Sequence, residues 1–169
     1  MQGGSFLSPA FLLCPPAMGK SILITGGARS GKSRFAETQA RAMTGRAVYI
    51  ATAEAHDAEM AARIAEHQAR RGDEWHTVAA PIALVEALQA TEGDAPRLVD
   101  CLTLWLSNWM LGELDWHTAT EALCQEIAAA QTPIVLVTNE VGGGIVPENK
   151  LARRYRDAAG QMNQMVAAV

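Results

Sequence analysis

One stretch limits what this chain can fold into. The apolar run Ser21-Ile22-Leu23-Ile24-Thr25 leads directly into Gly26-Gly27-Ala28-Arg29-Ser30-Gly31-Lys32-Ser33. This is the pattern G-x-x-x-x-G-K-[ST], a loop whose backbone N–H groups wrap the phosphates of a nucleotide. Gly26 and Gly31 reach backbone angles closed to other residues and leave no Cβ between chain and phosphate. Lys32 brings a point charge to the β/γ-phosphates, and the Ser33 hydroxyl is placed to ligate Mg²⁺. The segment that follows, Arg34 to Met43, reads as a helix whose N-terminal dipole faces the anion. Strand, loop and helix come in the order that the motif requires.

The rest of the chain alternates in the same way. Ala47–Ala51 is a short β-rich run, and Thr52 to Arg71 is mostly helix formers and charges, with Met60, Ile64 and His67 on one helical face. Ile82–Ala90 is amphipathic, Arg97–Leu102 reads as a strand, and Trp105–Leu111 and Thr118–Ala130 read as helices. Pro133 opens the strand Ile134–Thr138, and the glycine-rich loop Val141–Pro147 leads to a helical stretch from about Glu148. Strands alternating with helices predict an α/β fold with a mostly parallel sheet flanked by helices. Ligands on such sheets bind at the carboxyl ends of the strands. That rule nominates the loops Gly26–Ser33, Thr52 onward, Asp100–Thr103 and Thr138–Pro147.

Composition narrows the partner. The 169 residues are 49% apolar, enough for one domain with a real core, and the net charge of −4 with a pI near 5.5 argues against a nucleic-acid or anionic-membrane surface. A small molecule is the expected partner of the loop. Cys14, Cys101 and Cys124 are scattered, without C-x-x-C spacing, which fits a reducing cytosol rather than a disulfide framework or zinc site. Met1 to Ala17 lacks a positive n-region, is interrupted by Pro9, Pro15 and Pro16, and is too short to span a bilayer. Residues 1–17 are expected to be a disordered extension or to precede the true start at Met18, and 18–169 to form a single P-loop nucleotide-binding domain.

Several side chains carry possible chemistry. Asp100 ends a strand in the position of an acidic group near the nucleotide Mg²⁺, although a plain strand-end or capping carboxylate has the same look. His67, with Arg63 one turn before it and Arg70 and Arg71 just after, is either a nucleophile among phosphate-holding guanidinium groups or a partly buried packing residue. His56, His76 and His117 read as surface or packing residues. Glu140 could act as a base or cap a turn. Trp105, Leu106, Trp109 and Met110, flanked by Leu102 and Leu111, put large apolar groups on one short helix, which suits either the core or a subunit interface.

These residues taken in order resemble one family. Thr25-Gly-Gly-Ala-Arg-Ser-Gly-Lys-Ser33, Tyr49-Ile-Ala-Thr52, and Asp57-x-Glu-Met-Ala-x-Arg63 with His67 four on are similar to adenosylcobinamide kinase/adenosylcobinamide-phosphate guanylyltransferase. So are Asp100-Cys-Leu-Thr-x-Trp-x-x-Asn108, Val137-Thr-Asn-Glu-Val-Gly142, Gly144-Ile-Val-Pro-Glu-Asn149, and Leu151-Ala-Arg153 with Tyr155-Arg-Asp157 and Asn163-Gln164. The resemblance covers about residues 20–169. It implies a P-loop NTPase-type fold and a bifunctional, cytoplasmic, homotrimeric enzyme. Such an enzyme phosphorylates adenosylcobinamide and then transfers GMP from GTP onto that phosphate through a guanylylated histidine, here His67. It further implies that Lys32 and His67 are catalytic. The nucleotide is then held by Gly26, Gly27, Ala28, Arg29, Ser30, Gly31, Lys32, Ser33, Thr52, Arg63 and Asp100, with Ser33 and Asp100 on Mg²⁺. Whether ATP or GTP serves the kinase step is left open, and a nucleotide switch or a kinase of another metabolite are the competing readings. Two departures stand out: Glu66-His67 where members often have adjacent histidines, and an end at Val169 where members run on through one more apolar strand, so a C-terminal truncation lacking the last strand is expected.

Overall fold

The structure is a computed structural model that describes residues 21–55, 57–69, 71–93 and 95–169, apart from the side chain of Arg63. The proposed extension at 1–17 lies outside the described residues, as do His56 and Arg70. Five strands form one parallel sheet: β1 (Ile22–Gly26), β2 (Ala47–Ala51), β3 (Trp75–Ala79), β4 (Arg97–Asp100) and β5 (Ile134–Asn139), in the order β1-β5-β4-β2-β3. Between and after them run α1 (Lys32–Thr44), α2 (Ala58–Ala69), α3 (Leu84–Ala90), α4 (Leu102–Leu111), α5 (Trp116–Ala129) and α6 (Lys150–Ala168).

The two-residue side-chain period of the strands divides the apolar residues between two layers. Val48, Ile50, Val99, Ile134 and Leu136 face α3 to α6, where Leu84, Leu88, Leu102, Trp105, Leu106, Leu123 and Met162 complete a large core. Ala47, Tyr49, Leu98, Val135 and Val137 face α1, which meets them with Ala36 and Ala40. Small residues let α1 sit close against the sheet, and closeness sets where its first turn, Lys32 and Ser33, can reach.

One expectation is corrected here and one open alternative is narrowed. The segment Trp75–Ala79 was not expected as a strand; it is β3, at the edge of the described sheet and bonded there to β2 alone, and its burial is too shallow to leave an apolar pattern. Of the two readings left open for the apolar helix, the structure favours core: Leu102, Trp105 and Leu106 are almost wholly buried, and the Trp105 indole N–H donates to the Ile82 carbonyl at 2.9 Å. Trp109 and Met110 are half-buried against that core, leaving Leu111 as the exposed member. The cluster therefore gives no argument of its own for a subunit interface.

Candidate active site

The nominated loops do meet at the carboxyl edge of the sheet. Gly26 ends β1, and its carbonyl accepts from Glu140 N–H beyond β5 at 3.0 Å. The loop then turns through Arg29 (φ 55°) and Gly31 (φ 85°) into α1. Gly31 holds a left-handed angle that a side chain would strain. Gly26, contrary to expectation, has no left-handed φ; a Cβ there would lie 2.8 Å from Ser30 Oγ, so the Ser30 side chain would have to turn away. Gly27, Ala28, Arg29 and Ser30 are exposed at the N-terminus of α1, where unpaired amides and the helix dipole favour an anion. Lys32 Nζ lies over this loop, donating to the Gly27 carbonyl at 3.1 Å.

Asp100 is the meeting point. It ends β4, beside Ala51 of β2, with its side chain 11% exposed. Oδ1 accepts from Ser33 Oγ at 3.4 Å, and Oδ2 accepts from the Tyr49 hydroxyl at 2.7 Å. Nδ1 of His67, from the last turn of α2, lies 3.9 Å from the same Oδ2. Thus three stretches far apart in sequence, carrying Lys32 and Ser33, His67, and Asp100, share one edge. A serine hydroxyl and a carboxylate side by side suit Mg²⁺, which takes oxygen ligands and commonly uses one or two from the protein beside substrate phosphates.

Around this centre the packing is specific. The Tyr49 ring is met edge-on by Trp75, with centroids 5.7 Å apart, and is covered by the Arg71 guanidinium 3.8 Å from its centroid. Burial, reinforced by the Asp100 charge, pushes the Tyr49 hydroxyl far above its ordinary pKa, so it remains a donor. Asp57 caps α2 by accepting from Met60 N–H at 2.7 Å, which orients the helix that carries His67. Met60, Ile64 and His67 are the half-buried residues on one side of that helix, as the spacing predicted. Arg63 lies one turn before His67, and its side chain is outside the described residues.

Thr52 has a different place from an open nucleotide contact. It is fully buried, its hydroxyl donating to the Cys101 carbonyl and accepting from Cys101 N–H, both at 2.8 Å. Asn108 adds a bond to the Thr52 carbonyl at 2.9 Å and one to Pro81 at 3.0 Å. These bonds hold the turn that delivers Asp100. A second network, Asn139 to Thr103 at 2.6 Å and Thr138 to Asn163 at 2.6 Å, ties β5 to α4 and α6. Glu140 caps its own turn, its carboxylate accepting from Gly142 N–H. His76 and His117 are exposed, and His117 lies 3.7 Å from Glu121. Tyr49 was legible only as part of a motif; nothing in spacing pointed to its hydroxyl.

The fold and this edge define a P-loop nucleotide-binding protein of the parallel α/β kind. A family model described as cobinamide kinase / cobinamide phosphate guanyltransferase matches residues 22–169, and the chain belongs to that family. It is accordingly an enzyme of the kinase and guanylyltransferase class. The chain is 51% identical over 152 residues to the bifunctional adenosylcobalamin biosynthesis protein CobP of Pseudomonas aeruginosa, covering 86% of each. It is 43% and 45% identical, each over 166 residues, to the proteins named bifunctional adenosylcobalamin biosynthesis protein CobU of Escherichia coli and Salmonella typhimurium; both matches cover 87% of this chain and 90% of the relative. Among the described residues no helix is long and apolar enough to cross a membrane.

Proposed function

We propose that this enzyme phosphorylates the hydroxyl of adenosylcobinamide and then joins GMP from GTP to that phosphate, passing through a guanylylated His67. The observation that carries the reading is the placement of His67 and Ser33 on the two oxygens of one carboxylate, Asp100, beside the P-loop. In the kinase step the loop amides of Gly26–Ser33 and the Lys32 ammonium hold the triphosphate, and the corrinoid hydroxyl attacks its γ-phosphorus in line. In the transfer step a neutral ring nitrogen of His67 attacks the α-phosphorus of GTP; the bond to the bridging oxygen breaks and pyrophosphate leaves. A phosphate oxygen of the phosphorylated corrinoid then displaces the histidine, restoring the imidazole. Ser33 and Asp100 would hold Mg²⁺, whose charge offsets that developing on the phosphates. One P-loop serves both steps, since it can hold the β/γ-phosphates as transferred group or as leaving group. The same proposal takes the enzyme as cytoplasmic and homotrimeric, as the family resemblance implies.

The test is covalent labelling. With α-labelled GTP the wild-type protein should acquire acid-labile GMP, and His67→Ala should acquire none while retaining a measurable part of the kinase rate. Full labelling of His67→Ala would remove His67 from the mechanism.

A further inference from the structure

Tyr49 is not among the residues that hold nucleotide or metal in the reading above, yet it makes the shortest bond to the residue that both half-sites share. Asp100 has two oxygens with different company. Oδ1 takes the Ser33 hydroxyl at 3.4 Å, on the P-loop side. Oδ2 takes the Tyr49 hydroxyl at 2.7 Å and has His67 Nδ1 at 3.9 Å. A carboxylate turns easily about its Cβ–Cγ bond unless donors on both oxygens fix its plane. Tyr49 is suited to that task, being only 4% exposed, with its ring clamped between the Trp75 edge and the Arg71 guanidinium. Glu37, on α1, is the other charged group that bears on Tyr49.

We infer that Tyr49 is a positioning residue for guanylyl transfer: its hydroxyl holds Asp100 Oδ2 toward Nδ1 of His67, so that the resting imidazole keeps its proton on Nδ1 and presents the Nε2 lone pair to phosphorus. The inference rests on the proposed role of His67 as nucleophile. At 3.9 Å the pair is at ion-pair distance and not hydrogen-bonded, so the carboxylate favours the proton on Nδ1 through its charge, and a hydrogen bond needs only a small approach of α2. When Nε2 forms its bond to the α-phosphorus, the ring becomes cationic, and the carboxylate oxygen beside Nδ1 offsets that charge. Without the Tyr49 hydroxyl, Asp100 is free to turn both oxygens toward Ser33. The kinase half, which needs only the Ser33 side, then keeps its geometry while the transfer half loses it.

Two measurements test this on the full chain. The first is ¹⁵N NMR of the resting protein, labelled at histidine and held at a pH where the imidazole is neutral, with His67→Asn used to assign the signal. Wild type should show Nδ1–H and a bare Nε2, and Tyr49→Phe, which keeps the ring stack, should show a mixture of tautomers. The second compares single-turnover guanylylation with corrinoid phosphorylation. Tyr49→Phe should slow the first by about tenfold or more, the size expected for losing a hydrogen bond to a charged group, with little change in the KM for GTP and a much smaller effect on phosphorylation. An Nε2–H tautomer in the wild-type protein would overturn the inference, whatever becomes of the variant. So would a Tyr49→Phe enzyme that slows both half-reactions alike or neither. Should the Nδ1–H signal appear in wild type and give way to a mixture in Tyr49→Phe while His67 takes no label, Tyr49 orients the imidazole, but its role in guanylyl transfer falls together with the guanylyl-histidine proposal.

Discussion

Helices α1 and α2 each bring residues to the same edge, and they are held there very differently. α1 is seated on the sheet by Ala36 and Ala40, both without exposed surface, and its first turn grows out of the P-loop. Lys32 and Ser33 are therefore placed by the most tightly built part of that face. Among its described side chains α2 has none that is buried; Met60, Ile64 and His67 are half-covered, and the others described are exposed. Packing of an amphipathic face supplies most of a helix's stability in a protein, so α2 is the less firmly anchored of the two. The difference suits the division of work proposed above. Phosphate binding, common to both half-reactions, sits on the firm element. The nucleophile needed by one half-reaction sits on the element that can shift without disturbing the core.

The largest effect expected from this contrast is at Lys32. Both half-reactions gather negative charge on phosphate oxygens, so Lys32→Ala should slow each by about 10² or more, the usual loss on removing one preorganised electrostatic stabiliser. Parallel rate measurements on the two steps check it. Kinase and guanylyl transfer separating at Lys32 would require two nucleotide sites and break the one-loop account, whereas separation at His67 is what the account demands.

Packing offers a second way to sharpen the comparison. Ala40→Leu forces extra methylenes between α1 and the sheet and should destabilise the protein by about 1–3 kcal/mol, the usual range for overpacking. Ala61 lies on the exposed side of α2. Ala61→Leu should change stability by no more than about 0.5 kcal/mol, as surface substitutions do. Denaturant midpoints of the two variants decide the matter; equal losses would show that α2 is as firmly packed as α1.

What could be read in the sequence follows the same line between firm and loose. β2 was expected at the bounds it has, and α1 was legible from its loop and its following Gly45, which takes a left-handed φ of 78°. Those elements are specified by local rules: apolar period, turn chemistry, helix ends. β3 was illegible because an edge strand with one neighbour need not be apolar, and Trp75-His76-Thr77-Val78-Ala79 has only two half-buried side chains. In the site, the P-loop and Asp100 were readable as motif and strand end. The distance from His67 to Asp100 was not, since it depends on strand order and on the tilt of α2. Thr52 shows the limit from the other side: the family resemblance implied a nucleotide contact, and no sequence pattern showed that its hydroxyl bonds Cys101.

Acid stability gives the smallest and last test, and it concerns β4, one of the strands on which α1 rests. The Arg97 side chain, at the amino end of β4, is fully buried and pairs with Glu92 at 2.9 Å, while its guanidinium also donates to the carbonyls of Leu88 at 2.8 Å and Thr132 at 2.6 Å. For Glu92, burial would raise the carboxyl pKa, but bonds from Thr132 and the Arg97 charge together outweigh it, and the net shift is below the ordinary 4.5. A carboxylate that is depressed in the folded state contributes stability above its unfolded pKa and loses it as pH falls through the folded value. Glu92 should therefore support the sheet at neutral pH and release it only below about pH 4.5. Glu92→Gln should cost on the order of 1 kcal/mol at pH 7, because the partner is buried but Glu92 itself is partly solvated. The loss should shrink as the pH is lowered, since the protonated wild type comes to resemble the variant. Unfolding curves from pH 7 to pH 3 would show the two proteins converging; a constant gap would mean that Glu92 acts through shape rather than charge, and that the frame under α1 owes nothing to this pair.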